Sequence, residues 1–278
     1  MKQIAQIQYT EPTVTLLHAT PLVNGELAAR TCYNSFESSE HSSVRIYDGT
    51  PVAEINHSEL LDTLCHVHFH ESVIEHINLT FSISNTSRGV LQEIVRHRVA
   101  SYSVKSTRYT MQNILHAFNA CTRSTTTPRL DTFIDILTAQ KVFILEGTAC
   151  TLEIEQLFSK LHYHLRTLGK EDFLALSTSK EAKELLQSFD SNMTPLDMYN
   201  RLIECKAKRN VGDPFKWIVT DNWATDLVLT MNLRSLKNFL KLRDSGAAYE
   251  GIRWVAQAIE NTIPQRYLSI IAKNNTKG

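Results

Sequence analysis

The sequence predicts an α+β fold in which helices dominate and one sheet has few strands. Three observations predict it. Residues 78–84, "NLTFSIS", alternate cleanly, with Leu79, Phe81 and Ile83 on one face, the pattern of a strand with one buried side. The next stretch, "NTSRGVLQEIVRHR" (85–98), switches to helical period. Near the end, "MNLRSLKNFLKLR" (231–243) and "AYEGIRWVAQAIENTI" (248–263) are strongly amphipathic.

Taken in order, "GELAARTCYNS" (25–35) reads as a short helix with Leu27, Ala28 and Thr31 inward. "HSELLDTLCHVHFH" (57–70) reads as a helix capped by Ser58, with Leu60, Leu61, Leu64 and Val67 on one stripe. The helix over 85–98 is capped by Thr86 or Ser87 and buries Val90, Leu91, Ile94 and Val95. Residues 99–106 have no helical period and are expected to be a loop or an extended segment. "TRSTTTPR" (122–129) is a turn-rich break, and "LEIEQLFSKLHYHLRTL" (152–168) is an amphipathic helix. Residues 180–214 are polar and interrupted by Gly and Pro. In the helix over 231–243, Leu233, Leu236 and Leu240 point inward while Asn232, Arg234 and Asn238 avoid the apolar stripe. The chain of 278 residues is expected to be a single domain, 1–278, with a mainly helical insert at about 120–210.

Hydrophobic residues make up 42% and charged residues 21%, ordinary values for a globular protein with a sizeable core. The 29 basic and 29 acidic side chains cancel, so the chain lacks the basic excess of a nucleic-acid-coating protein. The cluster Arg96–Arg108 is therefore a local concentration of charge. Five scattered cysteines, none in a CxxC pair, suggest neither a disulfide framework nor a zinc ribbon. No run approaches the roughly 18 apolar residues of a membrane span, and "MKQIAQIQYTEPTV" lacks the core of a signal peptide. The expected address is cytoplasmic.

Four constellations bear chemistry. "HVHFH" brings His66, His68 and His70 close in sequence; on a helix only His66 and His70 are neighbours, and we expect no metal site. "ESVIEH" (71–76) sets a carboxylate and a histidine immediately before the strand. Arg96, His97 and Arg98 fall at a helix end, where positive charge suits the carbonyl terminus of the dipole. Beyond them Ser106 and Arg108 share a side if the segment is extended, a hydroxyl and a guanidinium suited to a phosphate. Last, Asn232, Arg234 and Asn238, with Arg243 at the helix end, are open to two readings: a solvated polar face, or a set of fixed donors to a planar ring.

Arg96-His97-Arg98, seven residues, then Ser106 reproduces the RHR-x7-S signature and resembles that of the flavin-dependent thymidylate synthases. "ESVIEHINLTFSIS" is similar to the family's glutamate-histidine segment leading into a strand, and "MNLRSLKNFLKLR" to its Asn- and Arg-bearing helix. The resemblance covers about residues 25–115 and 215–263, leaving 120–210 poorly matched.

The resemblance implies helices around a small, mostly antiparallel sheet. It implies reductive methylation of dUMP to dTMP, with FAD as cofactor and NADPH and methylenetetrahydrofolate as co-substrates. It also implies a homotetramer with active sites shared between subunits. Carried over, His70, Ser72, Arg96, His97, Arg98, Asn232, Arg234 and Asn238 would contact FAD. Glu93, Arg96, Val104, Ser106, Thr107, Arg108, Lys216 and Arg243 would surround dUMP, with Ser106 and Arg108 on its phosphate. Arg243 would polarise the uracil ring as the catalytic residue. Three positions depart from the family: Val104 replaces a glutamate, so that carboxylate's contact is lost or becomes one of the backbone; Lys216 replaces an arginine and loses the bidentate fork; Cys32 replaces a serine. The rival readings are a metal-dependent hydrolase built on His66 and His70, and a nucleic-acid module built on Arg96–Arg108 with Tyr102 and Tyr109. A flavin-yellow protein favours the synthase over both.

Overall fold

The strand predicted over residues 78–84 starts where expected and runs on to Ser87. Strand β4 runs from Asn78 to Ser87. The computed structural model describes residues 2–4, 7–50, 52–122, 129–167, 171, 180–190, 192–193, 197–198, 201, 216, 218 and 220–272. The chain divides into two compact units, residues 1–10 with 105–224, and residues 11–104 with 225–278.

In the second of these, the sheet has the order β3-β4-β7-β5, with β3 at Thr13–Ala19, β5 at Ala100–Val104 and β7 at Ala224–Asn232. β3 and β4 are antiparallel, pairing Val14 with Ile83 and Leu16 with Phe81 before a bulge between Leu16 and His18. β5 and β7 are antiparallel, pairing Tyr102 with Leu229 and Val104 with Leu227. The inward residues Leu79, Phe81, Ile83, Leu227, Leu229 and Met231 share one apolar core with Leu233, Leu236 and Phe239. That core also takes Ile252, Val255 and Ile259 of the helix Glu250–Glu260. The expectation of an antiparallel, helix-covered sheet holds here.

Five helices of this unit precede or flank the sheet: α1 (Val23–Tyr33), α2 (Ser42–Arg45), α3 (Glu59–His66), α4 (Arg88–Ile94) and, beyond β7, the helix Leu233–Arg243. α1 starts two residues earlier than the sequence suggests and buries Gly25, Glu26, Ala29 and Arg30, while Thr31 is exposed. The reason is an internal ion pair. Glu26 and Arg30 lie one turn apart and carry their charges inward together, which an apolar-stripe argument places outward. Gly25 permits the close approach: a Cβ there would lie 2.8 Å from Ile77 Cδ1. α3 stops at His66, so Val67 is 64% exposed and not part of its stripe. α4 begins at Arg88 because β4 continues through Thr86, and Ser87 caps it by accepting from the Val90 N–H; Val95 lies beyond its end and is exposed.

The other unit holds a sheet of order β1-β2-β6 (Lys2–Ile4, Ile7–Tyr9, Leu145–Glu146). Its helices include α5 (Thr107–Thr122), α6 (Leu130–Ala139), α7 (Thr148–Thr167) and α8 (Lys180–Gln187). The amphipathic segment predicted over 152–168 is the greater part of α7. A second core gathers Phe118, Phe133, Phe158 and Trp223, with Phe118 and Phe133 edge to face at 5.9 Å. Most of the turn-rich stretch 122–129 and of the polar stretch 180–214 lies outside the described residues. The helices of the C-terminal part are α9 (Leu233–Arg243), α10 (Glu250–Glu260) and α11 (Gln265–Ile271). Among the described residues no helix is long and apolar enough to cross a membrane.

Candidate active site

The site is organised by the place where β7 becomes α9. Asn232 is the last strand residue and the N-cap, and its Oδ1 accepts from the Ser235 N–H at 2.8 Å. Strand pairing fixes the start of the helix, and Leu233, Leu236 and Phe239 fix its rotation by burial. The opposite face then presents Arg234, Lys237, Asn238 and Lys241, the i, i+3, i+4, i+7 set of one helix side. Two ion pairs pin that face to the 3-10 turn Glu71–His76: Arg234 Nη1 to Glu75 at 2.5 Å and Lys237 Nζ to Glu71 at 2.7 Å.

Arg96, His97 and Arg98 follow α4 and reach the same place. The chain must reverse there to enter β5, and it does so at Val99, whose φ is 63°. A β-branched residue in the left-handed region is rare and strained. The turn is held by the Tyr102 hydroxyl, which donates to the His97 carbonyl at 2.5 Å and lies 3.1 Å from the Ile94 carbonyl. A pocket of about 770 Å³ results, lined by Arg96, His97, Arg98 and Val99 and by the polar face of α9 down to Arg243. Its lining counts six basic side chains, Arg96, Arg98, Arg234, Lys237, Lys241 and Arg243, against the carboxylates Glu71 and Glu75.

Arg243 closes the pocket at the end of α9. Its Nη1 lies 2.9 Å from Glu93 Oε2, and its Nε donates to His97 Nε2 at 2.7 Å. Glu93 also accepts from Arg96 at 3.1 Å. The His97 ring is buried and stands edge-on to Phe239 at 4.9 Å. Burial lowers the His97 pKa below the ordinary imidazole value, the Arg243 charge lowers it further, and Glu93 opposes both.

Of the residues expected to hold FAD, the structure brings Arg96, His97, Arg98, Asn232, Arg234 and Asn238 into this one pocket, with Arg243. His70 and Ser72 are exposed residues next to its Glu71 wall and do not line it. Of the dUMP set, Glu93, Arg96 and Arg243 meet here, whereas the Val104 side chain packs against the core and Val104 pairs with Leu227 in the sheet. Ser106, Thr107, Arg108 and Lys216 belong to the other unit. There the extended reading of 105–108 gives way to a helix start. α5 begins at Thr107, and Ser106 Oγ accepts from the Arg108 N–H at 3.3 Å. A hydroxyl that satisfies a free helix N–H competes with continued extended backbone.

Past His66 the histidine run is neither strand nor helix. α3 ends at His66, whose Nε2 lies 2.9 Å from the Ser269 carbonyl, and Phe69 turns the chain with φ 56°. His66 and His70 therefore do not share a helix face, because the helix that would align them stops. His70 Nδ1 instead lies 3.4 Å from the Tyr33 hydroxyl. Sequence reasoning missed Lys237 and Lys241. Their spacing from Arg234 was the available signal.

A family model described as thymidylate synthase complementing protein matches residues 15–266. The chain belongs to this family. A flavin-dependent thymidylate synthase of Campylobacter jejuni is 29% identical over 254 residues, covering 91% of this chain and 93% of the relative. One from Wolinella succinogenes is 27% identical over 265 residues, covering 94% and 98%. Among solved structures, thymidylate synthase X from Helicobacter pylori with FAD and dUMP aligns at a TM-score of 0.54 with 24% identity. It covers 94% of this chain and 97% of that one, and the likeness is one of fold. The thymidylate synthase complementing protein match spans both segments that build the pocket, β4 to β5 and β7 to α9.

Proposed function

We propose that this protein is a flavin-dependent thymidylate synthase, an enzyme that reductively methylates dUMP to dTMP and serves dTMP biosynthesis. Methylenetetrahydrofolate is the carbon donor, and NADPH supplies the reducing equivalents. The observation that carries the reading is the convergence of the RHR corner and the polar face of α9 on one cationic pocket, closed by Arg243.

The donor set fits FAD. Six basic side chains against two carboxylates suit a pyrophosphate, and the Asn232 and Asn238 amides suit a polar ring edge. Arg96, His97, Arg98, Asn232, Arg234 and Asn238 would hold it, with His70 and Ser72 beside them. FAD, when bound, supplies the hydride chemistry, and the protein supplies position and field.

Methylation at uracil C5 requires electron density there, and a guanidinium beside the ring oxygens stabilises the negative charge that accompanies it. Arg243 has that role. Glu93 and Arg96 position the ring, and no protein nucleophile is required. The nucleotide phosphate is assigned to Ser106, Thr107 and Arg108 at the start of α5, where a helix N-terminus favours an anion, with Lys216 adding charge. Val104 contributes backbone only. The assembly proposed is a homotetramer with shared sites, in the cytoplasm, with no metal and no nucleic-acid partner.

The test is direct. Purified protein should be yellow and should form dTMP anaerobically from dUMP, methylenetetrahydrofolate and NADPH. Protein that takes up no flavin and makes no dTMP after reconstitution refutes the reading.

A further inference from the structure

The guanidinium of Arg243 is gripped from two sides. Nε donates to His97 Nε2 at 2.7 Å, Nη1 pairs with Glu93 Oε2 at 2.9 Å, and Nη2 donates to the Glu93 carbonyl at 3.5 Å. A guanidinium carries five N–H donors and no acceptor, so these contacts leave two donors for a ligand. The grip thus selects which edge of Arg243 faces the pocket.

His97 is the fixed member of this set. Its side chain is buried, its ring is edge-on to Phe239, and its carbonyl is held by Tyr102. Glu93 is more exposed and divides its carboxylate between Arg96 and Arg243. Because Arg243 can only donate, the short Nε bond requires a lone pair on His97 Nε2 and hence a proton on Nδ1. A protonated imidazole would set N–H against N–H.

We infer that His97 is a positioning residue whose Nε2 lone pair aims the Arg243 guanidinium at the pyrimidine. This rests on the reading of Arg243 as the group that stabilises charge on that ring. The charged groups facing His97 are Arg243, Glu93 and Arg96, while Phe239 and Tyr102 complete its surroundings. Burial first and Arg243 second lower its pKa, so the acceptor persists at neutral pH and disappears on acidification.

The test uses the flavin-loaded enzyme with His97→Gln and His97→Phe. Glutamine offers a carbonyl acceptor to Arg243 but does not titrate, whereas phenylalanine keeps the ring packing and has no lone pair. With FAD in excess to saturate the variant, His97→Phe should keep the KM for dUMP within about threefold yet lose roughly tenfold or more in kcat, the effect of one lost orienting hydrogen bond. His97→Gln should recover most of that loss and abolish the acid limb of the wild-type kcat profile, which lies below the ordinary imidazole value of about 6.5. Nitrogen-15 NMR of the wild-type imidazole should show the Nδ1–H tautomer. Wild-type kcat in His97→Phe, an unchanged acid limb in His97→Gln, or the Nε2–H tautomer each overturns the inference. Should His97→Phe fail to fold, the glutamine profile and the tautomer still decide. If the wild-type enzyme makes no dTMP, the functional reading fails, whereas the tautomer reports on the hydrogen bond alone.

Discussion

Glu93 Oε2 lies 2.9 Å from Arg243 Nη1 while Glu93 Oε1 takes Arg96 at 3.1 Å, so one carboxylate ties the end of α9 to the RHR corner. The pair with Arg243 is partly shielded, at 30% and 19% side-chain exposure. It should add little to stability, within about 1 kcal/mol. Its consequence is geometric. Glu93→Gln keeps the size and loses the charge, and the KM for dUMP should rise about tenfold, as for one charge-assisted bond. Steady-state kinetics beside urea unfolding check this; unchanged KM with reduced stability would make Glu93 purely structural.

Arg243 itself is permanently charged, so it favours an electron-rich uracil without giving up a proton. Arg243→Lys keeps the charge and loses the planar fork. Removing one fixed donor to developing charge costs roughly 3–4 kcal/mol, on the order of a hundred- to a thousandfold in rate. The variant should retain the flavin spectrum and the oxygen-dependent oxidation of NADPH while dTMP formation collapses. Near wild-type dTMP formation would reduce Arg243 to a helix-end cation.

The Ser106–Arg108 start of α5 makes a different prediction, because it concerns the phosphate and not the ring. Ser106 already accepts from the Arg108 N–H. Ser106→Ala should therefore lose about 1 kcal/mol of capping stability as well as affinity. Arg108→Ala should raise the KM for dUMP strongly and leave FAD bound. Deoxyuridine, which has no phosphate, is the control: its weak binding should be the same in wild type and Arg108→Ala. Equal loss for both ligands would exclude a phosphate role.

What was legible follows the range of the interaction. β4 could be read because Leu79, Phe81 and Ile83 alternate and all are fully buried. The polar face of α9 could be read because helical period relates Arg234 to Asn238. β7 carries the same alternation in Leu227, Leu229 and Met231, yet it runs straight into a strong helix pattern that begins at Leu233 and masks it. β3 is broken by a bulge after Leu16, which ends the period-two signal. The pairs Glu93–Arg243 and Glu75–Arg234 join residues 150 and 159 positions apart, and nothing local in a sequence encodes them. Buried charge misleads most: Glu26 as a core residue inverts the ordinary expectation for its type.

Glu26 gives the last prediction, one about the fold. Its carboxylate is fully buried on α1. It accepts from Ser39 Oγ at 2.5 Å, from Ser58 Oγ at 2.7 Å and from Arg30 Nε at 3.3 Å. Ser58 in turn caps α3 through the Leu61 N–H. One carboxylate thereby fixes α1, the segment around Ser39 and the start of α3. Glu26→Ala would leave the buried Arg30 guanidinium without its carboxylate and the Ser39 and Ser58 hydroxyl protons without their acceptor. Breaking a buried pair on one side costs about 3–5 kcal/mol. Glu26→Gln retains an acceptor and should cost less, about 1–2 kcal/mol. Replacing Glu26 and Arg30 together by apolar residues of similar volume should recover much of the loss, because no charge is then left stranded. Urea unfolding of the three variants, read as a shift in midpoint at constant slope, checks the order. An alanine variant within about 1 kcal/mol of wild type would mean that water enters the network and that the charge is not held in the core.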